Sequence, residues 1–278
     1  MENFFKSQSE LKVASINPKP SFKSGWNRNK LFARLRAALV HLGLSALVAL
    51  VVSIPLVLWL YPSPYFEAAG GRNLLAMILA IDVVVGPMLT FLVFDRSKSS
   101  LKNDLRIIGL VQFVALGFGV HAALLSRPVY ISFVVDRFEL VSAAQVDPEE
   151  LSKAPMAMQV LAWGKPQLAY ARQPNDPKLR SELALLATQG DIDLKQMFRY
   201  YRPFAEATEQ IIQRASPIKE LERFNAPALV KTLLAEYQSQ TLAYLPVQGK
   251  KSDLTAIVNA RTGELLAVVA LQPWQISE

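Results

Sequence analysis

LLAMILAIDVVVGPMLTFLVF, residues Leu74 to Phe94, is the sequence from which the architecture of this chain follows. Its roughly 21 residues are almost all apolar, and at about 1.5 Å of rise per residue such a helix crosses a hydrocarbon core of roughly 30 Å. The sequence therefore predicts a transmembrane helix at 74–94. A carboxylate inside such a helix costs about 3 kcal/mol, and Asp82 lies within it. We therefore expect neighbouring helices that shield this group.

Three roles are open for Asp82. A protonated or hydrogen-bonded side chain could hold the helices together, a titrating side chain could relay protons or ions, and a helix from another protein could contact it. Gly86 and Pro87 follow within five residues. Because proline has no N–H, Pro87 leaves a carbonyl one turn back, near Val83, without its usual donor. We therefore expect the helix to bend there and a neighbouring helix to fill the gap.

Two further apolar runs are long enough to cross a membrane. AALVHLGLSALVALVVSIPLVLWLY covers 37–61, and IIGLVQFVALGFGVHAALLS covers 107–126. Together with 74–94 they predict a three-helix transmembrane region over residues 37–126. An odd number of crossings places the two termini on opposite sides of the membrane.

The positive charge of the chain indicates its orientation. The sequence has 30 Lys and Arg against 23 Asp and Glu, a net charge of +7. Residues 1–36 hold eight basic and two acidic side chains, and residues 95–106 hold four and two, whereas residues 107–278 balance. Nucleic-acid binding needs a basic face on the folded domain, so this distribution argues against it. It predicts a cytoplasmic amino terminus, since basic loops stay inside.

The chain is thus predicted to divide into three parts. Residues 1–36 form a basic cytoplasmic tail, expected to be disordered up to residue 33 because it has no sustained apolar period. Residues 37–126 form the transmembrane region in a bacterial inner membrane, with a short turn at 61–72. Residues 127–278 form a periplasmic domain.

A stripe on the third apolar run predicts how the helices pack. Gly109, Phe113, Gly117 and His121 recur every four residues, with Gln112 beside them. Small residues at this spacing let helices approach closely, so we expect this stripe to be the interface of the bundle.

The polar groups of the bundle do not predict a metal site. By depth along their helices, His121 or Ser53 could satisfy Asp82. His41 lies near the inner surface and His121 near the outer one, so the two histidines cannot ligate one ion. The chain has no cysteine, which removes thiolate ligands, thiol nucleophiles and disulfides. No cofactor is expected.

The part after residue 126 is predicted to be a small extracytoplasmic α+β domain that ends in a β-hairpin. VYISFVV at 129–135 is typical of a strand, and two β-rich runs around a turn at 261–263 predict the hairpin, 254–271. Its apolar residues fall on both faces, so we expect it to complete the sheet. Proline after a capping residue predicts helices that start at three places: Asp147–Pro148, Asp176–Pro177 and Ser216–Pro217. Further helices are expected over four ranges: 194–201, 204–214, 218–224 and 228–237.

The same domain shows no pattern typical of an active site. It has no histidine, so serine–histidine catalysis and histidine-based metal binding are excluded. The acidic pairs Asp191 with Asp193 and Glu149 with Glu150 are expected to cap helices. One basic and aromatic run could grip a partner or form a solvated helix face with buried tyrosines; it consists of Arg199, Tyr200, Tyr201 and Arg202.

From about Leu39 to Trp274 the chain resembles the type IV pilin accessory proteins. Five blocks carry the resemblance: WLYPSPYFEAAGG at 59–71, DVVVGPMLTFLVF at 82–94, LKNDL at 101–105, RPVYISFVVDRFELVSAAQ at 127–145, and LAYLPVQGKKSDLTAIVNARTGELLAVVALQPW at 242–274. The resemblance implies a non-enzymatic helper that stabilises a cognate type IV pilin, or promotes its assembly, at the inner membrane.

The residues themselves are consistent with such a helper and leave alternatives open. A pilin before assembly has an apolar helix in the membrane and a globular head outside, so its helper needs a membrane face and an outer face. We therefore expect the pilin as partner, alongside other pilus assembly components and membrane lipid. A small transporter or proton-coupled subunit using Asp82 is the alternative, although three helices rarely enclose a pathway. A sensor is a third, but no signalling module follows the helices inside.

Overall fold

The computed structural model describes residues 28–189, 193–237 and 240–275. Within these ranges, three helices are long and apolar enough to cross a membrane, and we call them the first, second and third apolar helices. They cover Arg28–Leu60, Gly71–Val93 and Leu101–Ser126. The first consists of α1 (Arg28–Pro55) and a π turn (Leu56–Leu60). A short helix, α2 (Tyr65–Ala68), follows it. The second apolar helix consists of α3 (Gly71–Leu79), a π turn (Ala80–Val85) and α4 (Gly86–Val93), and the third is α5.

All three helices begin earlier than the sequence predicts, the second by only three residues. The first begins at Arg28, so residues 28–33, expected to be disordered, are helical. The third begins at Leu101 and not at residue 107. The added turns are rich in Lys, Arg and Leu, which favour helix, and only the apolar part of a helix stands out by hydropathy. Residues 1–27 of the predicted tail lie outside the described residues.

The second apolar helix lies between the other two. The first helix packs on α4 and the π turn at Ala80–Val85, and the third helix packs on α3 and α4. The first and third helices therefore share the second as their main support, which leaves grooves between them at both ends of the bundle.

The remaining residues form a mixed sheet with helices around it. Its strands are β1 (Pro128–Val134), β2 (Arg137–Ser142), β3 (Gln167–Ala171), β4 (Tyr201–Arg202), β5 (Ser216–Pro217), β6 (Leu242–Gln248), β7 (Leu254–Asn259) and β8 (Leu265–Val269). Their order is β4-β3-β1-β2-β6-β7-β8, with β5 paired to β6. The pairs β1–β3 and β2–β6 are parallel, and the other pairs are antiparallel.

The hairpin at the end of the chain completes the sheet. β7 is buried along most of its length and β8 forms the edge. Leu265 and Val268 pack on one core cluster, and Leu266 and Val269 pack on another. Both faces of β8 are therefore covered, as the apolar pattern predicts, although the strand stays half-buried because it has no outer neighbour among the described strands.

Four α-helices lie in the part of the sheet domain that the structure describes. The α-helices are α6 (Pro148–Leu151), α7 (Pro177–Gln189), α8 (Thr208–Arg214) and α9 (Pro227–Leu233). The first two begin at the predicted prolines, and the backbone N–H groups of Glu149 and Lys178 donate to Asp147 and Asp176. The helix expected at Ser216–Pro217 is wrong, because these two residues pair with β6 and a 3₁₀ turn begins at Ile218.

Other predicted helices are 3₁₀ turns. The range 194–201 forms Leu194–Gln196 and Phe198–Tyr200, and its last residue lies in β4. Further 3₁₀ turns occupy Ala143–Gln145, Met156–Met158, Phe204–Ala207, Ile218–Arg223 and Ala235–Tyr237. These runs contain aromatic and apolar residues without a helical period, and packing against the sheet fixes their conformation.

Candidate functional site

The backbone of the second apolar helix opens at Asp82. In the π turn Ala80–Val85, the N–H of Gly86 donates to the carbonyl of Ile81. The carbonyl of Asp82 would then need the N–H of residue 87, and Pro87 has none. The side-chain amide of Gln112 supplies the missing donor, with Nε2 3.1 Å from the Asp82 carbonyl oxygen. The freed carbonyl is thus at Asp82 and not near Val83, because the helix is a π helix here.

Gly86 makes room for this hydrogen bond. A Cβ atom at this position would lie 2.1 Å from Nε2 of Gln112, which is shorter than any real contact. Gly86 and Pro87 are also both buried. The three residues therefore act together: Pro87 opens the backbone, Gly86 makes room for the amide, and Gln112 donates the hydrogen bond.

The carboxyl group of Asp82 has no such partner. Asp82 is 5% exposed, and its Oδ2 atom forms no hydrogen bond with the described residues. The Ser53 hydroxyl is likewise buried without a partner, and His121 is exposed. The expectation that Ser53 or His121 satisfies the carboxyl is therefore wrong within the described chain. A buried polar atom left unpaired costs about 1–3 kcal/mol, so a hydrogen-bond donor to the Asp82 carboxyl would stabilise the protein here.

The stripe predicted as the bundle interface faces outward. Phe113 is 74% exposed, His121 is exposed, and a Cβ added at Gly109 or Gly117 would meet no atom within 4 Å. This expectation is wrong. The inner face of the third helix consists of Ile108, Gln112, Gly119 and Ala123.

Gly119 is the glycine that brings two helices together. An ideal Cβ there would lie 2.6 Å from Cγ1 of Ile78 on the second helix. Gly119 is two residues beyond Gly117, which at about 100° per residue turns it to nearly the opposite face. Both glycines therefore fit a small-residue pattern, and only the position of the partner helix distinguishes them.

The segment between the first two apolar helices belongs to both halves of the molecule, and we call residues 61–70 the junction. The hydroxyl of Tyr61 donates to the carbonyl of Ala123 at 2.7 Å, which ties the first helix to the third. Tyr65 and Ala68 are buried in the main core cluster of the sheet domain. The backbone N–H groups of residues 250 and 251 both donate to the Ala68 carbonyl at 2.9 Å. What the sequence predicts as a simple turn therefore fixes the sheet to the helices.

A groove opens beside the junction, and we call it the junction groove. Its volume is about 720 Å³, and most of its lining is apolar, from the ends of the first and third helices and the loop at 163–165. Trp59 and Trp163 line it and are 74% and 72% exposed. The guanidinium of Arg127 lies 4.4 Å above the Trp163 ring, and Lys165 contributes a charged side chain to the lining. The groove therefore offers an apolar surface that continues from the helices onto the sheet domain.

The basic and aromatic run of the sheet domain does not form a free surface. Tyr201 is fully buried, and its hydroxyl donates to the carbonyl of Lys195 at 2.6 Å. Arg199 forms a two-pronged ion pair with Glu150, and Arg202 donates to backbone carbonyls. Tyr200 is half-buried. Tyr201 is therefore a core residue and Arg199 is engaged by Glu150, whereas a contact of this run with a partner stays a prediction.

The acidic residues Glu150 and Asp193 have structural partners: the first forms an ion pair and the second caps a turn. Hydrogen bonds from Arg199 lower the pKa of the Glu150 carboxyl to about 2. Asp193 caps a 3₁₀ turn, whereas Asp191 lies outside the described residues. Nζ of Lys195, in the same 3₁₀ turn, lies 2.6 Å from Oε2 of Glu139 in β2, and burial raises the pKa of that carboxyl. Among the described residues, no group of three or more His, Asp or Glu side chains could hold a metal ion.

The fold and this geometry define a helix-bundle protein suited to a membrane, whose sheet domain is locked to the helices at one end beside an apolar groove. The family model described as fimbrial assembly protein FimB matches residues 29–70, the first apolar helix and the junction. No solved structure matches the chain.

Three curated relatives come from Dichelobacter nodosus. The fimbrial assembly protein of serogroup I is 26% identical over 259 residues, which cover 90% of this chain and 100% of the relative. That of serogroup E1 is 25% identical over 258 residues, with the same coverage. The protein of serogroups C1 and C2 is 31% identical over 132 residues, 46% of this chain and 99% of the relative. The chain belongs to the fimbrial assembly protein family.

Proposed function

We propose that this protein is a non-enzymatic accessory protein of the bacterial inner membrane that stabilises a cognate type IV pilin or promotes its assembly. The observation that carries the proposal is the junction groove, where an apolar helix surface runs directly into the sheet domain. A subunit with an apolar helix in the membrane and a head outside needs a partner surface of this shape. The printed names of the relatives, fimbrial assembly proteins, support a role in the same process.

The proposed orientation has the amino terminus in the cytoplasm and the sheet domain in the periplasm. Lys30 Nζ lies 3.3 Å from Asp95, and Arg34 Nε donates to the Phe94 carbonyl at 2.8 Å, so the two basic segments lie at the same end of the bundle. The junction and sheet domain lie at the other end. Basic residues remain on the cytoplasmic side, which supports this orientation.

Reporter fusions test the orientation. Alkaline phosphatase, which is active only outside the cytoplasm, should be active when fused after Glu278 and inactive when inserted within 97–100. The reverse pattern would reject the proposed topology, and with it a periplasmic contact with the pilin head.

Site-specific photocrosslinking tests the pilin contact. A photoreactive residue in place of Leu58 or Lys165, which both line the junction groove, should trap the pilin in cells that express the pilus genes. Phe113 is the matched control, since it is a similarly exposed apolar residue on the third helix outside that groove. Crosslinks to pilin from Phe113 alone would move the contact to the outer face of the third helix and reject the groove. The absence of pilin from all three adducts would reject pilin binding.

A further inference from the structure

We propose that a second groove, at the end of the bundle away from the sheet domain, binds an anionic phospholipid. This basic groove has a volume of about 630 Å³ and is formed by the adjoining ends of the three apolar helices, with Arg36 and Arg96 in its lining. The proposal requires that the helices lie in a membrane, and it is independent of any contact with a pilin.

No acidic residue among those the structure describes neutralises the charge of the groove. Arg36 and Arg96 are both exposed, and neither forms an ion pair with the described residues. The two acidic residues nearest to Arg96 along the chain are already engaged: Asp95 pairs with Lys30, and Asp104 pairs with Lys98. Arg36 and Arg96 therefore line the same groove, and their guanidinium donors form no hydrogen bond with the part of the chain that the structure describes. Guanidinium groups bind phosphate through paired N–H donors.

The wall below the two arginines is apolar. Val40 and Leu44 are 68% and 62% exposed, and Phe94 and Leu105 also line the groove. Arg36 and Leu44 are eight residues apart on one helix, so the apolar wall extends roughly 12 Å below the charged rim. A free anion would need only the rim. A ligand with a phosphate at one end and a hydrocarbon chain at the other uses both parts, and this is the chemistry of a phospholipid.

The floor of the groove favours a fixed shape. Nδ1 of His41 lies 2.5 Å from Oγ1 of Thr90, so the first and second helices are joined by a hydrogen bond at this depth. Gly109 lines the groove from the third helix, and a Cβ added there would meet no atom within 4 Å. The three helices thus form a slot in which Gly109 leaves open space. Basic pockets between helices at the cytoplasmic side are suited to anionic lipid headgroups.

The test uses the full-length protein in lipid nanodiscs or mild detergent, with bound lipid counted by native mass spectrometry. Phosphatidylglycerol is the anionic probe and phosphatidylcholine the zwitterionic one. The double variant Arg36→Gln/Arg96→Gln should retain phosphatidylglycerol about tenfold less than the wild type, since each basic residue adds severalfold to anionic lipid binding. The matched control Lys102→Gln/Arg106→Gln removes the same charge from exposed residues outside the groove and should retain lipid as the wild type does.

Two further arms distinguish the occupant. Gly109→Leu should reduce retention of phosphatidylglycerol without lowering protein yield, because the new side chain enters the slot and the helix contacts are untouched. Added inorganic phosphate should not displace the lipid. Equal loss in both charge variants, equal retention of the two lipids by the wild type, displacement by phosphate, or a second copy of the chain in place of the lipid would each overturn the proposal.

Discussion

The helix bundle and the sheet domain solve the problem of burial in opposite ways. In the bundle, large apolar side chains point outward, as at Leu47 and Phe113, which are 59% and 74% exposed. In the sheet domain the comparable side chains are enclosed, as at Phe133 and Phe138, which are both 0% exposed and packed edge to face. A helix that is apolar all round needs lipid around it, whereas the sheet carries its own core. The sheet domain is therefore stabilised by its own core, whereas the exposed apolar faces of the helices are suited to a membrane.

Removal of the last strand should have the largest effect, because it removes part of the sheet domain's own core. A chain truncated after Arg261 loses β8 and Leu271, which is 1% exposed in the cluster with Ile257. Each buried Val or Leu contributes about 1.5–3 kcal/mol, so the sheet domain should lose several kcal/mol and the whole protein should fall in amount. Immunoblots of membranes and protease treatment of spheroplasts measure this.

The control for the truncation is a stop after Gln275, which removes only residues outside the described ranges and should leave the protein level unchanged. Normal accumulation and protease resistance of the truncated protein, with loss of pilin retention alone, would show that the hairpin is a docking edge and not part of the core.

Overpacking one helix contact should have a smaller effect, confined to the bundle. Gly119→Leu places a side chain into Ile78, where even a Cβ would approach to 2.6 Å, and should cost about 1–3 kcal/mol. Gly117→Leu adds the same atoms to an open face and should be neutral. Thermal unfolding in detergent, followed by tryptophan fluorescence, compares the two. If Gly117→Leu is the damaging variant, the face pointing outward in the single chain is an interface in the assembled protein.

Loss of the Gln112 amide, which donates to the Asp82 carbonyl, should lower the stability of the bundle by less than the overpacked contact does. Gln112→Met keeps a side chain of similar volume but removes the amide that serves the Asp82 carbonyl, for about 1 kcal/mol in a membrane bundle. Asp82→Asn is the matched variant, because it leaves that backbone hydrogen bond in place. Protein level and surface pili are compared in the two strains. A strain with Asp82→Asn that has normal protein but no pili would indicate that proton transfer at Asp82 is required.

The smallest effect expected is the response of the sheet domain to acid. The pKa of Glu150 lies at about 2 in the folded protein, below its ordinary value of 4.5, mainly because Arg199 donates to it. A lowered pKa stabilises the fold above pH 4.5, and this contribution disappears as the pH falls from 4.5 towards 2. Arg199→Gln should therefore flatten the pH dependence of unfolding in this window, by less than about 1 kcal/mol because the pair is at the surface.

Circular dichroism of the full-length protein in detergent follows this acid unfolding. Lys178→Gln is the control, since it removes a surface charge on α7 that forms no ion pair with the described residues. A parallel shift of the whole curve in Arg199→Gln, with its slope unchanged, would contradict the assignment to Glu150.

The apolar helices could be predicted from the sequence more completely than the sheet domain. Length and hydropathy suffice for a helix in lipid, and they gave the second helix to within a few residues. The inner face of the third helix could not be predicted, because Gly117 and Gly119 satisfy the same spacing and only the position of Ile78 separates them. The carbonyl freed by Pro87 was placed one residue off, since a π turn has no sequence signature of its own.

In the sheet domain, the sequence predicts the strands that are marked by a local run of β-branched residues and a nearby turn. The strand β1 is a β-rich run, and the final hairpin is two such runs around a turn. Both lie where the sequence predicts them, within a residue or two. β3 was missed, although it pairs parallel with β1, because its five residues carry no turn signal and its partner is about 37 residues away. The contribution of the junction was missed for the same reason: nothing near Tyr65 indicates a partner at residues 131–258.

The placement of Tyr65 and Ala68 in the core of the sheet domain sets an order of events during biosynthesis. The sheet domain is made last, yet its core is completed by side chains from a loop made before the second helix. In a membrane, that loop must already have been delivered to the side on which the sheet folds. A chain in which only one of the second and third helices crosses the membrane leaves two gaps in the core and two backbone N–H groups without the Ala68 carbonyl. In a membrane, the sheet domain can therefore complete its core only when the second and third helices leave residues 61–70 and the domain on the same side.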